Sequence, residues 1–271
     1  SDAGSGVQKV ELTLRRVNDG LYYDGSGWGG TPVWLTASGT AAWSYAFAPT
    51  PGLTYEVRSR ATDNLGNVQG TPATSTFMLD IGLPTSAVGT SGYYGTVTWT
   101  GNITGTANDA ESGLARVDLT IERQEGSQTQ YYNGSWWQTT PIWLLANGTD
   151  NWYYPFAPEH GRTYTIRSRA QDLAGNQQIA YGTGTLIYDS GVPTSSVTTS
   201  GLLGKTAWTG TIAGLASDDF VGVDAVHITI RRPDGQYYTG AGWSGSATWL
   251  LASGTNAWTY AFTPTQGITY T

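Results

Sequence analysis

The sequence predicts an all-β protein made of repeated two-sheet sandwich modules, and three observations carry the prediction. The first is a stretch that occurs in near copy. Tyr164-Thr165-Ile166-Arg167-Ser168-Arg169-Ala170 ends in Gln171-Asp172-Leu173-Ala174-Gly175-Asn176, and Tyr55–Asn67 repeats it as Tyr-Glu-Val-Arg-Ser-Arg-Ala-Thr-Asp-Asn-Leu-Gly-Asn. A third copy begins at Tyr270-Thr271. Each copy alternates like a half-buried strand, with the arginines on the opposite face from Tyr, Val or Ile, Ser and Ala. The second observation is a set of landmarks at one period. Asp2, Asp109 and Asp218 lie 107 and 109 residues apart, and Trp34/Trp143/Trp249, Trp43/Trp152/Trp258 and Tyr55/Tyr164/Tyr270 keep nearly the same spacing. A period of 107–109 residues is one sandwich domain rather than one solenoid repeat. The third is composition: 37 Gly, 12 Trp and 17 Tyr with 12% charged residues suit many short strands and tight turns.

The elements follow in order along the middle copy. After the linker Asp80-Ile81-Gly82-Leu83, Pro84–Val88 reads as a first strand. Val97–Ala107 reads as the second, with Trp99 and Ile103 inward, and 108–113 as a loop. Arg116–Arg123 is a third strand, because Val117, Leu119 and Ile121 alternate with Arg116, Asp118, Thr120 and Glu122. Tyr131–Gly134 opens a hairpin-like excursion. Pro141–Ala146 and Asn151–Ala157 flank an Asn147-Gly148-Thr149 turn, and Pro158–Gly161 turns the chain into the duplicated strand. Residues 178–189 close the module. Such spacing over about 100 residues fits an immunoglobulin-like sandwich. Gly52, Gly161 and Gly267 precede the tyrosines, where a tyrosine corner would sit. The boundaries expected are a partial module at 1–79, a complete one at 80–188 and a partial one at 189–271. The ends fall inside modules and the chain starts at Ser1, which reads as a window on a longer array.

Composition narrows the function classes. A net charge of −7 argues against nucleic acid, whose phosphates would be repelled. The absence of cysteine excludes disulfides and thiolate metal sites. No apolar run approaches membrane-spanning length. The two histidines share no neighbourhood in the repeat pattern, and no nucleophile elbow, phosphate loop or zinc spacing is present, so no enzyme is expected.

Arg-Ala-x-Asp-x-x-Gly-Asn at 60–67 and 169–176, followed by Pro-Thr-Ser at 84–86 and 193–195, resembles the bacterial Ig-like modules of large cell-surface and adhesin-type proteins. The resemblance implies an extracellular or cell-surface structural or adhesive array. Such arrays are often stiffened by Ca2+ at module junctions. A related version of this reading has the chain assembling with neighbouring modules or copies of itself into a fibre or surface layer through its Trp-rich loops.

Three residue sets are candidates for function. In an Ig-like topology one pole gathers Asp80, Asp109, Glu111, Asp172 and Asn176, the next junction offers Asp189, Asp218 and Asp219, and the first copy contributes Asp2, Asp63 and Asn67. Oxygen donors on separate loops are what Ca2+ requires, six to eight of them. The plainer reading is turn chemistry, with Asp63 and Asp172 closing Asx turns. Glu111 is replaced by Gly4 and Phe220, so it is not a repeated ligand. The second set is aromatic. Trp28, Trp137 and Trp243 sit in Gly/Ser-rich loops after Tyr22-Tyr23, Tyr131-Tyr132 and Tyr237-Tyr238. They are candidates for a contact surface or, as an alternative function, for stacking on surface glycans. Trp43, Tyr45 and Phe47, like Trp152, Tyr154 and Phe156, alternate as a core face. The third set is the glycosylation sequons at Asn102, Asn133 and Asn147, a motif frequent by chance. Arg58, Arg60, Arg167 and Arg169 are read as cross-strand ion-pair partners of Glu11, Asp118 and Glu122.

Overall fold

The computed structural model describes residues 4–271, and these contain strands and turns but no helix. They form two compact units. One runs to Ser91 and includes Asn102–Phe156 and Thr165–Thr185; the other comprises Gly92–Gly101, Ala157–Tyr164 and Leu186–Thr271.

In the first unit the first repeat forms a large antiparallel sheet and a separate hairpin of Ser38–Gly39 and Trp43–Ser44. The strands of the large sheet run in the order Trp28–Gly29, Tyr22–Tyr23, Val7–Arg16, Thr54–Asp63, Ala73–Met78. The duplicated stretch is thus an interior strand, paired from Arg16↔Tyr55 to Val7↔Asp63. The middle repeat has two sheets. Asn151–Pro155, Asn102–Asn108 and Thr85–Val88 make one. In the other, Leu114–Glu125 lies between Arg162–Asp172 and the hairpin of Gln128–Tyr132 and Trp137–Gln138. The inner faces bury Ile103, Trp152 and Phe156 from the first sheet and Val117, Leu119, Ile121, Ile166 and Ala170 from the second. These are the alternating residues, as the pleat requires.

The second unit holds Gly92–Tyr94, which runs parallel to the end of Gly182–Tyr188. It also holds the third repeat's sheet of Thr194–Val197, Thr211–Ser217 and Ala257–Ala261. Val226, Ile228, Ile230, Leu250, Trp258 and Phe262 form the core there.

One glycine decides how each Trp packs. A Cβ on Gly105 would lie 2.1 Å from Trp152 Cζ2 and 2.2 Å from the Ala87 carbonyl oxygen. Gly214 repeats this against Trp258 and Ser196, at 2.1 and 2.2 Å. The indole occupies the place of a side chain on the neighbouring strand, which only glycine permits. Trp152 and Trp258 are 1% and 2% exposed. Trp43, expected in the core, is 40% exposed, because no described strand stands over it as Asn102–Asn108 stands over Trp152.

The tyrosine corner is present in all three repeats. The Tyr55, Tyr164 and Tyr270 hydroxyls accept the backbone N–H of Thr50, Glu159 and Thr265 at 2.9, 2.8 and 2.8 Å. Gly52, Gly161 and Gly267 take φ of 76°, 72° and 78°, the left-handed conformation that lets the chain reverse ahead of the ring.

The structure corrects three strand limits. The strand expected over 97–107 begins at Asn102. Residues 95–99 form a turn in which the Gly95 carbonyl accepts from Thr98 and Trp99, so Val97 points to solvent. The strand expected over Pro141–Ala146 shrinks to Leu144–Leu145. The closing strand starts at Gly182; Gln178 before it is held by its backbone N–H on the Ala170 carbonyl at 3.0 Å and by its side chain on Ser86.

Candidate functional site: an acidic pole

Three segments meet at the pole of the middle repeat, and each brings one carboxylate. Asp80 opens the linker, Asp109 follows Asn102–Asn108, and Asp172 ends Arg162–Asp172. One oxygen from each lies within 4.8 Å of those of the other two. Asp172 is 1% exposed and Asp80 8%. Asn176 closes the turn on Asp172, donating its backbone N–H to Oδ1 at 2.7 Å and its side-chain amide to Oδ2 at 2.8 Å. That amide also reaches the Asp80 carbonyl at 3.3 Å. Asp109 Oδ2 accepts the N–H groups of Glu111 and Gly113 at 3.1 and 2.8 Å, as an Asx turn does. Asp80 accepts from the Gly82 and Ser112 N–H groups at 2.8 and 3.0 Å.

The turn chemistry is therefore real, yet it leaves a charge imbalance. Among the described residues none of these three carboxylates makes an ion pair with a basic side chain. Their donors are neutral, and buried charge without a counter-charge is costly. A fourth carboxylate is adjacent. Glu111 Oε2 is buried without a hydrogen-bond partner. The Asp80 carboxylate beside it and burial hold Glu111 above the ordinary carboxylate range. Ser112 first, with the Gly82 N–H also contributing, holds Asp80 below it despite burial. The donor set is entirely oxygen, which fits a hard cation such as Ca2+.

The other candidate ligands keep the same frame. Asp189 takes the place of Asp80 and accepts from Gly191 and Val221 N–H at 2.8 and 3.0 Å. Asp218 takes that of Asp109, accepting from Phe220 and Gly222 at 3.1 and 3.0 Å, which lower its pKa. Asp63 accepts from the Asn67 backbone and side chain at 2.8 and 2.7 Å, and Asn67 is the main cause of its lowered pKa. Asp2 lies outside the described residues.

The aromatic candidates sit differently from the expected open loops. Trp28, Trp137 and Trp243 are half-buried in short strands paired to the Tyr-Tyr segments. Trp137 packs on Tyr132 and Phe156 at 5.4 and 6.3 Å, with the Arg123 guanidinium 4.1 Å over its ring. Trp28 and Trp243 do the same with Tyr23, Phe47 and Arg16, and with Tyr238, Phe262 and Arg232. Tyr131 is half-buried opposite Glu122. This correction has a physical reason: a Gly/Ser-rich stretch lets the hairpin fold back, so the ring joins the core edge. Trp136, which sequence reading passed over, is the exposed ring of this hairpin at 65%; Gly27 and Gly242 stand in its place elsewhere.

Outside the sheet, Arg167 pairs with Glu122 at 2.9 Å, Arg169 with Asp118 at 3.4 Å and Arg60 with Glu11 at 3.1 Å. Arg58 instead pairs along its own strand with Glu56 at 2.9 Å. Trp34 and Trp143 lie under Arg60 and Arg169 at 3.9 and 4.0 Å. Of the sequon residues, Asn102 is half-buried at a strand start, and the Asn133 side chain holds the Ser135 and Trp136 N–H groups. Asn147 is exposed, with its backbone bridged antiparallel to Tyr153. A buried network also escaped sequence reading: Ser86 Oγ donates to Gln178 Oε1 at 2.7 Å and lies 2.9 Å from Ser168 Oγ. Its signal was Gln two residues after Asn in both copies, Gln69 and Gln178.

A two-sheet middle repeat with a tyrosine corner that recurs in all three repeats defines an Ig-like fold, and comparison matches that middle stretch to a family model. Residues 87–190 match the model of the bacterial Ig-like domain family. No curated protein sequence matches the chain. Similar solved structures include fibronectin(III)-like modules of Clostridium thermocellum CbhA, at 17% identity over 70% of this chain and 82% of that one, TM-score 0.31. Another is a tetra-tandem repeat in the extending region of a large adhesion protein, at 17% identity over 96% and 59%, TM-score 0.30. A third is SGBP-B of a Bacteroides ovatus mixed-linkage glucan utilization locus in complex with a heptasaccharide, at 14% identity over 95% and 60%, TM-score 0.21. This chain spans about three fifths of the latter two. Among the described residues no helix is long and apolar enough to cross a membrane.

Proposed function

We propose that the chain is a length of an extracellular or cell-surface array of Ig-like modules, divided at 1–79, 80–188 and 189–271, with a structural or adhesive role. Ca2+ bound by Asp80, Asp109 and Asp172 sets the junction before the middle module. The observation that supports this reading most is the convergence of three carboxylates, two of them buried, with no basic partner among the described residues. A cation would neutralise them and join the linker to both loops, while Asn176 orients Asp172. Asp189 and Asp218 would serve the next junction, and Asp63 with Asn67 the first copy. The partners are neighbouring modules or further copies, as in a fibre or surface layer. No catalytic step is assigned. The packing of Trp28, Trp137 and Trp243 favours this reading over glycan stacking.

The test is a thermal melt of the chain in EDTA and in millimolar Ca2+. An ion at about 100 times its Kd adds about 2.7 kcal/mol and raises the midpoint by several degrees. The increment should vanish in Asp172→Ala. A melt indifferent to Ca2+ would leave the pole as turn chemistry alone.

A further inference from the structure

The second junction carries chemistry that the first does not. The turn ending the 157–161 segment brings His160 to Asp189 and Asp219, all within the second unit. His160 Nε2 lies 3.1 Å from Asp219 Oδ2, and Nδ1 lies 3.3 Å from Asp189 Oδ1. One donor atom from each residue lies within 4.8 Å of the other two. Asp189 is fixed by the N–H groups of Gly191 and Val221, while Asp219 is open to solvent. The Ser190 N–H reaches Nδ1 at 3.0 Å. Phe220 stands edge-on to the imidazole at 6.4 Å. The three groups close over a backbone with no side chain. A Cβ on Gly191 would lie 2.3 Å from Asp219 Oδ1, 3.1 Å from His160 Cε1 and 3.2 Å from Asp189 Oδ1. In the preceding copy the positions of His160, Asp219 and Phe220 hold Pro51, Ala110 and Glu111.

We infer that His160 and Asp219 bind a divalent transition metal of the Zn2+ class, with Asp189 orienting the imidazole. The ligands are His160 Nε2 and the Asp219 carboxylate, and water fills the open positions. Their 3.1 Å separation is close to the edge of a tetrahedron whose ligands stand about 2.0–2.1 Å from the ion. On binding, the ring proton moves from Nε2 to Nδ1, and Nδ1–H donates to Asp189 Oδ1 in place of accepting from Ser190. That is the carboxylate–histidine–metal arrangement that fixes a ligand's tautomer. A nitrogen donor separates this site from the all-oxygen pole. Imidazole suits Zn2+, Ni2+ and Cu2+, whereas Ca2+ takes oxygen.

The background for a test is low, because the chain has two histidines and no cysteine. Zn2+ is titrated calorimetrically into the chain in millimolar Ca2+. One Zn2+ per chain should bind, weakened about tenfold or more in His160→Ala and in Asp219→Asn, and unchanged in His227→Ala. Co2+ should give a visible d–d spectrum that His160→Ala abolishes. Zn2+ binding that is absent, or that His160→Ala leaves intact, overturns the inference. Asp172→Ala should retain Zn2+ binding, which keeps this outcome separate from the Ca2+ reading; loss of Zn2+ binding in that variant would also overturn it.

Discussion

Tyr164→Phe removes one oxygen atom and nothing else. The ring of Tyr164 is fully buried, so its packing survives the change. What is lost is the 2.8 Å bond from the Glu159 N–H, in a turn that also holds Gly161 N–H on the Tyr188 carbonyl at 3.0 Å. A net hydrogen bond contributes about 0.5–1.5 kcal/mol, and an orphaned donor costs about 1–3 when fully buried. Glu159 is exposed, so water can reach its N–H and the overlap of the two ranges applies, about 1–1.5 kcal/mol. In a module of about 100 residues this corresponds to a midpoint lowered by about 4–12 °C. Urea unfolding of the chain reads the loss, and hydrogen exchange localises it, since the Glu159 amide should exchange faster. Unchanged stability together with an unchanged Glu159 amide would refute the claim that the hydroxyl secures the turn.

Three further outcomes follow from other contacts. Gly105→Ala forces a methyl against Trp152 and the Ala87 carbonyl and should destabilise by at least about 1–3 kcal/mol, read from urea midpoints and from altered Trp fluorescence. Gln178→Ala strips a partner from Ser86 and from the Ala170 N–H and should cost about 1–3 kcal/mol in the same assay. Glu11 is held below its ordinary pKa of 4.5 chiefly by Lys9 and then by Arg60, against an opposing effect of burial. Its stabilisation is therefore full above that ordinary value and disappears as pH falls through the lowered one. Melts between pH 7 and pH 3 should show Glu11→Gln less stable near neutrality and converging with the parent in acid.

The fold was legible because its signals are periodic. Val117, Leu119 and Ile121 alternate within one strand, and Tyr55, Tyr164 and Tyr270 recur at module spacing, so a local pattern was confirmed by a long-range one. Strand ends were harder. Val97 has strong β propensity, yet the Gly95 turn overrides it. The acidic pole was legible as a set of residues, since loops at one end of a sandwich must meet. Its backbone donors were not, because the Ser112 and Val221 N–H groups are supplied by whatever side chain happens to stand there. Trp28, Trp137 and Trp243 were misplaced for a related reason. Flanking glycines signal a turn, but they do not reveal whether the turn folds the ring inward. His160 showed no partner in sequence because Asp219 is 59 residues away and belongs to the next repeat.

The middle repeat begins by changing sheets. Thr85–Val88 runs antiparallel to Asn102–Asn108, and Gly92–Tyr94 then runs parallel to the far end of the module, Leu186↔Gly92 through Tyr188↔Tyr94. The entering and leaving strands therefore lie side by side and point the same way. A pull on the two ends of the chain slides one past the other, so the bonds between them are loaded in shear and must break together rather than one at a time. An antiparallel pair in the same place would unzip bond by bond at lower force. Stretching single molecules would show this as a high rupture peak for the middle module, and a proline at Tyr93 on the edge strand would lower it.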